Sequence, residues 1–433
     1  MATALGTSLA VTVALVLLVV LAMTSKRVAS TRANAALVSF GYAMLLLASI
    51  TGAGVDLVRA LGLVLLVAIV YPVVFFTRAS SINLSRTIRG VLAIIMAAAL
   101  VALIAHMLSL VGWVLIPAVI VALSVAAGAI AVLGSGNGVA RTAKWTLWIT
   151  LVLAWLIVAG AAAVGGVGTL VAPDLDVLAL PEGTYAAMAL GVVALAAVDP
   201  LLRQTAEDIR GSFPTGALIL APALISGVLV APLILFSGSF TVPSVPFLIP
   251  FGFLPAEAIG VVLALASFAL ISVVPGYLLV AGKLLAEVVR GDQLLEQGHE
   301  QEHARAETPA SAGSIVLATV VAGSLGSALS APSVLIVIAS LLAAAAGGAA
   351  LPGIRPGLHA LASFLGLFVG LVPVAFAGAV AFFSWSWSTA VGIALAAVAG
   401  SIAAAVLHRM DAHAEPPSSN GDPEQPASES SWR

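Results

Sequence analysis

Charge is what this chain has least of. Only 8% of its 433 residues are Asp, Glu, Lys or Arg, against about a quarter in a soluble domain. With 61% hydrophobic residues and a mean hydropathy of +1.18, the composition is that of an all-α polytopic membrane protein. Cysteine is absent, which excludes disulfides, thiolate metal sites and thiol nucleophiles. The net charge of −2 gives no hint of a nucleic-acid partner. The glycine-rich run at 134–138, GSGNG, lacks the lysine of a phosphate-binding loop and reads as a turn. Histidine is sparse, and His299, His303, His408 and His413 lie in polar stretches. His299 and His303 are four apart and share a helical face, but no further ligand accompanies them, so a solvated linker is expected there and not a metal site. No Ser/His/Asp arrangement appears, and the chain is not expected to be an enzyme.

What is present is a succession of apolar runs. A membrane span needs about 20 mostly apolar residues. On that measure the chain divides into about thirteen, at 6–24, 34–54, 60–77, 91–110, 113–133, 145–165, 184–200, 214–236, 256–283, 313–329, 332–348, 358–383 and 387–408. With the N-terminus outside, every basic residue except Arg59 falls on the inner side, as the positive-inside rule requires. The C-terminus is then cytoplasmic, and an inner (cell) membrane location is expected. The first run has no basic residue before it, so a retained span is expected there and not a signal peptide. The segment 237–255 is too rich in proline to span and too apolar to float, and is read as a cap on the outer face. The stretch 290–312 is read as a polar inner linker and 411–433 as a disordered tail. The Ala- and Gly-rich spans 314–348 and 358–408 are suited to close helix packing.

Polar groups inside the spans are few. Asp199-Pro200 interrupts an apolar helix that continues as a charged segment to Pro214. Proline removes a backbone donor and a buried carboxylate is costly, so the pair suits a discontinuous helix beside a polar cavity. A helix simply ending at the cytoplasmic surface is the alternative. His106, near the outer end of the fourth span, would either contact a substrate or bond a neighbouring carbonyl. Ser39 and Gly41 put a hydroxyl and a glycine in mid-span, which serves a binding site or helix packing equally. In the ninth span Ser267 and Ser272 precede Pro275-Gly276, which should kink it. Hydroxyls and freed carbonyls there would suit Na+, although such serines commonly bond back to their own helix.

At these residues the chain resembles the sodium:solute symporter family, in particular its cation/acetate branch. The likeness rests on Thr51-Gly52, Asp56-Leu57, Gly62 and Pro72-Val73-Val74, on Leu103 to Met107 with His106 where the family has Gln, on 134–151, and on Ser267-Phe268-Ala269 through Pro275-Gly276. In the seventh span only Arg203 of the family's Pro-His-Ile-Leu-Met-Arg carries over, with Asp199 at the His position. The family's sodium-ligating hydroxyls would fall near Ala281-Gly282-Lys283, where none exists. A proton-coupled or non-transporting relative is therefore a live alternative. Ala206 to Arg210 with Pro214 is similar to a segment of amino-acid permeases, a family linked with the same fold.

The resemblance implies a LeuT-like fold of five-plus-five inverted repeats, at 34–165 and 184–348, with an extra span and basic loop at 1–33 and two further spans at 357–408. It implies cation-coupled symport, by Na+ or H+, of a small organic anion such as acetate or another monocarboxylate. Substrate would lie among Ser39, Gly41 and His106, with Asp199, Pro200, Arg203, Pro275 and Gly276 forming the coupling region and Ser267 and Ser272 as Na+ candidates. No organic cofactor is implied. The partners are a small-molecule solute and the bilayer, and for a non-transporting relative a partner membrane subunit.

Overall fold

The computed structural model describes residues 84–109, 115–133, 182–201, 271, 273–296, 312–376 and 387–414. Among them are α1 (Arg86–Ser109), α2 (Ile116–Leu133), α3 (Glu182–Val198), α4 (Val274–Glu296), α5 (Ala312–Leu329), α6 (Pro332–Gly348), α7 (Pro356–Val374) and α8 (Trp387–Ala414). The described residues contain no strand. By length and composition α1, α2, α5, α7 and α8 can each cross a membrane, and α6 is a shorter apolar helix.

The helix starts follow from local chemistry. Ser85 caps α1, its hydroxyl accepting the Ile88 N–H at 3.2 Å, which satisfies one of the donors a helix N-terminus leaves open. Pro332 and Pro356 open α6 and α7, where a missing N–H costs nothing. The reversal between α5 and α6 needs only Ser330 and Ala331. Ser330 adopts a left-handed φ of 45°, and its N–H returns to the Gly326 carbonyl at 2.7 Å, closing α5 in the way a C-terminal glycine usually does.

Two helices are central. Nearly all of α1 from Leu92 to Ala105 and of α6 from Leu335 to Ala346 is buried. Around α1 pack α2, α4 and α5; around α6 pack α3, α7 and α8, and α1 meets α6 along the seam between the groups. The outer helices turn apolar stripes outward, with Leu361, Leu365, Phe368 and Val372 on α7 and Val391, Leu395, Val398, Ile402 and Val406 on α8. Spacing of three and four residues keeps each stripe on one face, which a bilayer would cover.

Helix α7 meets α8 backbone to backbone. A Cβ on Gly370 would lie 2.7 Å from the Gly392 carbonyl oxygen, and one on Gly366 would lie 2.7 Å from that of Ala396. Small residues are what permit this approach, as the composition of these spans leads one to expect.

Polar ties gather at one end of the bundle. His359 is wholly buried; its Nδ1 accepts the Ser85 N–H at 3.3 Å and its Nε2 donates to the Ala346 carbonyl at 3.1 Å. One side chain thereby joins α7, the start of α1 and the end of α6. The Ser401 hydroxyl lies 2.9 Å from the Gly348 carbonyl, linking α8 to α6. Arg86 faces Glu287 at 3.4 Å and Arg355 faces Asp411 at 2.9 Å.

Three boundaries differ from the sequence reading. The break expected at Pro275-Gly276 inside a span at 256–283 falls two residues earlier, at Val273, a turn between helical Ile271 and the start of α4 at Val274. Helix α4 also runs to Glu296, into the stretch read as a linker from 290, because Asp292 to Glu296 contains no breaker. Helix α8 extends three residues beyond Asp411 into the stretch read as a tail. The spans expected before residue 84, the one at 145–165, the cap at 237–255 and the remainder of the linker and tail lie outside the described residues.

Candidate functional site

Two helix interruptions lie against each other in the interior. The first is at Asp199: α3 ends at Val198, Asp199 is not helical, and Pro200 and Leu201 resume a helix. Proline suits this place because the first residue of a helix has no N–H bond to lose. The second is at Val273, between helical Ile271 and the start of α4. There the Gly276 N–H reaches back to the Val273 carbonyl at 3.0 Å, which tightens the first turn around Pro275.

The side chains join what the breaks leave open. Asp199 is 2% exposed and Tyr277 1% exposed. The Tyr277 hydroxyl donates to Asp199 Oδ2 at 2.8 Å across 78 residues of chain. Beside this bond Leu201 covers Gly276, whose added Cβ would lie 3.3 Å from a Leu201 methyl. A buried carboxylate needs such a donor, since its desolvation is otherwise costly, and hydrogen bonds to a charged acceptor are stronger than neutral ones. The arrangement sets an acidic group between two helix ends, in a setting that can exchange an internal hydrogen bond for a cation or a proton.

The other expected residues fall as follows. Pro200 is buried directly after Asp199, and Pro275 and Gly276 form the first turn of α4, so these three lie at the junction with Asp199. His106 is exposed in the last turn of α1, its backbone carbonyl receiving the Ser109 hydroxyl at 2.7 Å. Ser39, Gly41, Arg203, Ser267 and Ser272 lie outside the described residues. At the place where the family resemblance would put sodium-ligating hydroxyls, Ala281 is buried and Gly282 packs against Ile315 of α5, with 2.7 Å from an added Cβ to Ile315 Cγ1. Among the described residues no three His, Asp or Glu side chains converge as a metal site would require.

Tyr277 and His359 were not singled out by sequence. For Tyr277 a signal existed: it is one of four tyrosines in the chain and follows Pro275-Gly276 directly, and a buried phenol usually finds a partner.

No known family matches the chain, and no curated protein does. Solved structures do match, 18 chains in all. One is the substrate-bound outward-open state of a Na+-coupled sialic acid symporter, with a TM-score of 0.50 at 13% identity, covering 93% of this chain and 98% of that one. The likeness is one of fold. This chain is a multi-pass membrane protein, all-helical among its described residues and similar in fold to that transporter.

Proposed function

We propose that the chain is a secondary active transporter that carries a small organic anion inward together with a cation, by alternating access around the Asp199 junction. The observation that carries this reading is the meeting of two interrupted helices at a buried carboxylate. Unwound backbone inside a membrane is tolerated where it faces protein or a water-filled cavity, and paired discontinuous helices are the usual frame of a transporter's binding site. The fold likeness to a Na+-coupled symporter supports the same class. Sialic acid is itself a carboxylic acid, which is compatible with the acetate-like monocarboxylate expected from sequence. A bare Asp199 would repel such an anion, so its role is to take up the coupling cation.

Of the two coupling ions, H+ is favoured. The packing of Gly282 against Ile315 fills the place where the resemblance would seat sodium ligands, and Asp199 is a proton acceptor already in the interior. The same packing is what supports the second reading, a non-transporting relative that acts as a sensor or partner subunit. The test is uptake of labelled acetate, pyruvate, sialic acid and amino acids into proteoliposomes, with proton and sodium gradients imposed separately. Accumulation of a carboxylate under the proton gradient is expected. Amino-acid accumulation would move the chain to the permease class, and no accumulation under either gradient would leave the sensor reading.

A further inference from the structure

The Tyr277–Asp199 bond joins two helix ends far apart in the chain, and it is buried on both sides. Its donor is the second residue after Pro275 and its acceptor stands directly before Pro200. Asp199 sits at one break and Tyr277 in the first turn of α4, just after the other, so a small rotation of α3 or α4 lengthens the bond without bending either helix. Leu201 rests on Gly276 next to it, so it lies at the contact between the two ends and its exposure reports their separation. A carrier that opens alternately to two sides needs such a place, held in one state and released in another.

We infer that Tyr277 is a positioning residue whose hydrogen bond to Asp199 ties the two half-helices shut, and that the tie is released when the transporter changes state. This rests on the transporter reading above, but the experiment requires no solute, so the two can fail separately. The chain has no cysteine, so a thiol introduced anywhere is the only one. In the full-length protein in native membranes, Leu201→Cys reports the junction and Ser340→Cys, wholly buried in α6, reports the rest of the bundle. N-ethylmaleimide should label Leu201→Cys slowly when Tyr277 is present. In a Tyr277→Phe background it should label about tenfold faster, the scale set by loss of one hydrogen bond to a charged group, while Ser340→Cys stays protected. Asp199→Ala should accelerate labelling at least as much, and adding Tyr277→Phe to it should change nothing further, as expected of two partners in one bond. Equal labelling of Leu201→Cys with Tyr and Phe at 277 would overturn the tie. So would parallel acceleration at Ser340→Cys, which would make the phenol a general packing element, or additive effects of the two substitutions.

Discussion

Two buried titratable side chains in this protein sit in opposite settings. His359 has a partner at each ring nitrogen, and both partners are backbone groups of helix termini. Because Nδ1 accepts and Nε2 donates, the geometry uses the neutral ring, and every atom of it is committed to holding α1, α6 and α7 together. Asp199 sits between helix ends with a side-chain donor from another helix. It lies at an interruption, and one of its partners is a phenol on a rotatable side chain. The first setting uses polarity to fix a structure. The second keeps polarity where backbone order has been given up, which suits the coupling role proposed for Asp199. Depth of burial is nearly the same for the two side chains, so it does not by itself distinguish the structural tie at His359 from the coupling role proposed for Asp199.

The comparison can be broken most directly at Asp199. Asp199→Asn removes the charge at nearly constant volume, and coupled uptake in proteoliposomes should fall to background while membrane insertion and melting temperature stay close to wild type. Retained uptake would remove Asp199 from the mechanism. At His359 the reverse pattern is expected. His359→Ala leaves the Ser85 N–H and the Ala346 carbonyl buried without their partner, which should cost about 2–4 kcal/mol. Thermal unfolding in detergent should show that loss, with the choice of coupling ion and solute unchanged in the protein that folds. A changed ion preference would mean that the two regions are not distinct. The smallest effect belongs to Arg355→Ala. The Arg355–Asp411 pair is 57% exposed on the arginine side, so its loss should lower stability by less than about 1 kcal/mol, measured in the same melts.

Much of the helical framework could be read from local signals. Pro332 and Pro356 open helices as prolines in apolar runs commonly do, and the expected spans at 313–329 and 332–348 lie within a residue of α5 and α6. Asp199-Pro200 stood out because nothing else so polar interrupts its run. The left-handed turn at Ser330 was not legible, since serine there carries no mark that glycine would have supplied. Nor were the partners of the buried groups. Tyr277 lies 78 residues from Asp199, and His359 lies 274 residues from Ser85; pairings at such separation are decided by how helices pack. Pro275-Gly276 was recognised as a break, but whether it bends a helix or begins one depends on Val273, whose side chain gives no clue.

The ties from His359, Ser401, Arg86 and Arg355 lie at one end of the described helices, which they hold together there. Helix α1 has 24 residues, and a rod of about 36 Å pivoting by about 5° sweeps its far tip through about 3 Å. The clamped end would hardly shift, while a displacement at the tips comparable with the width of a water molecule follows from almost no change at the pivot.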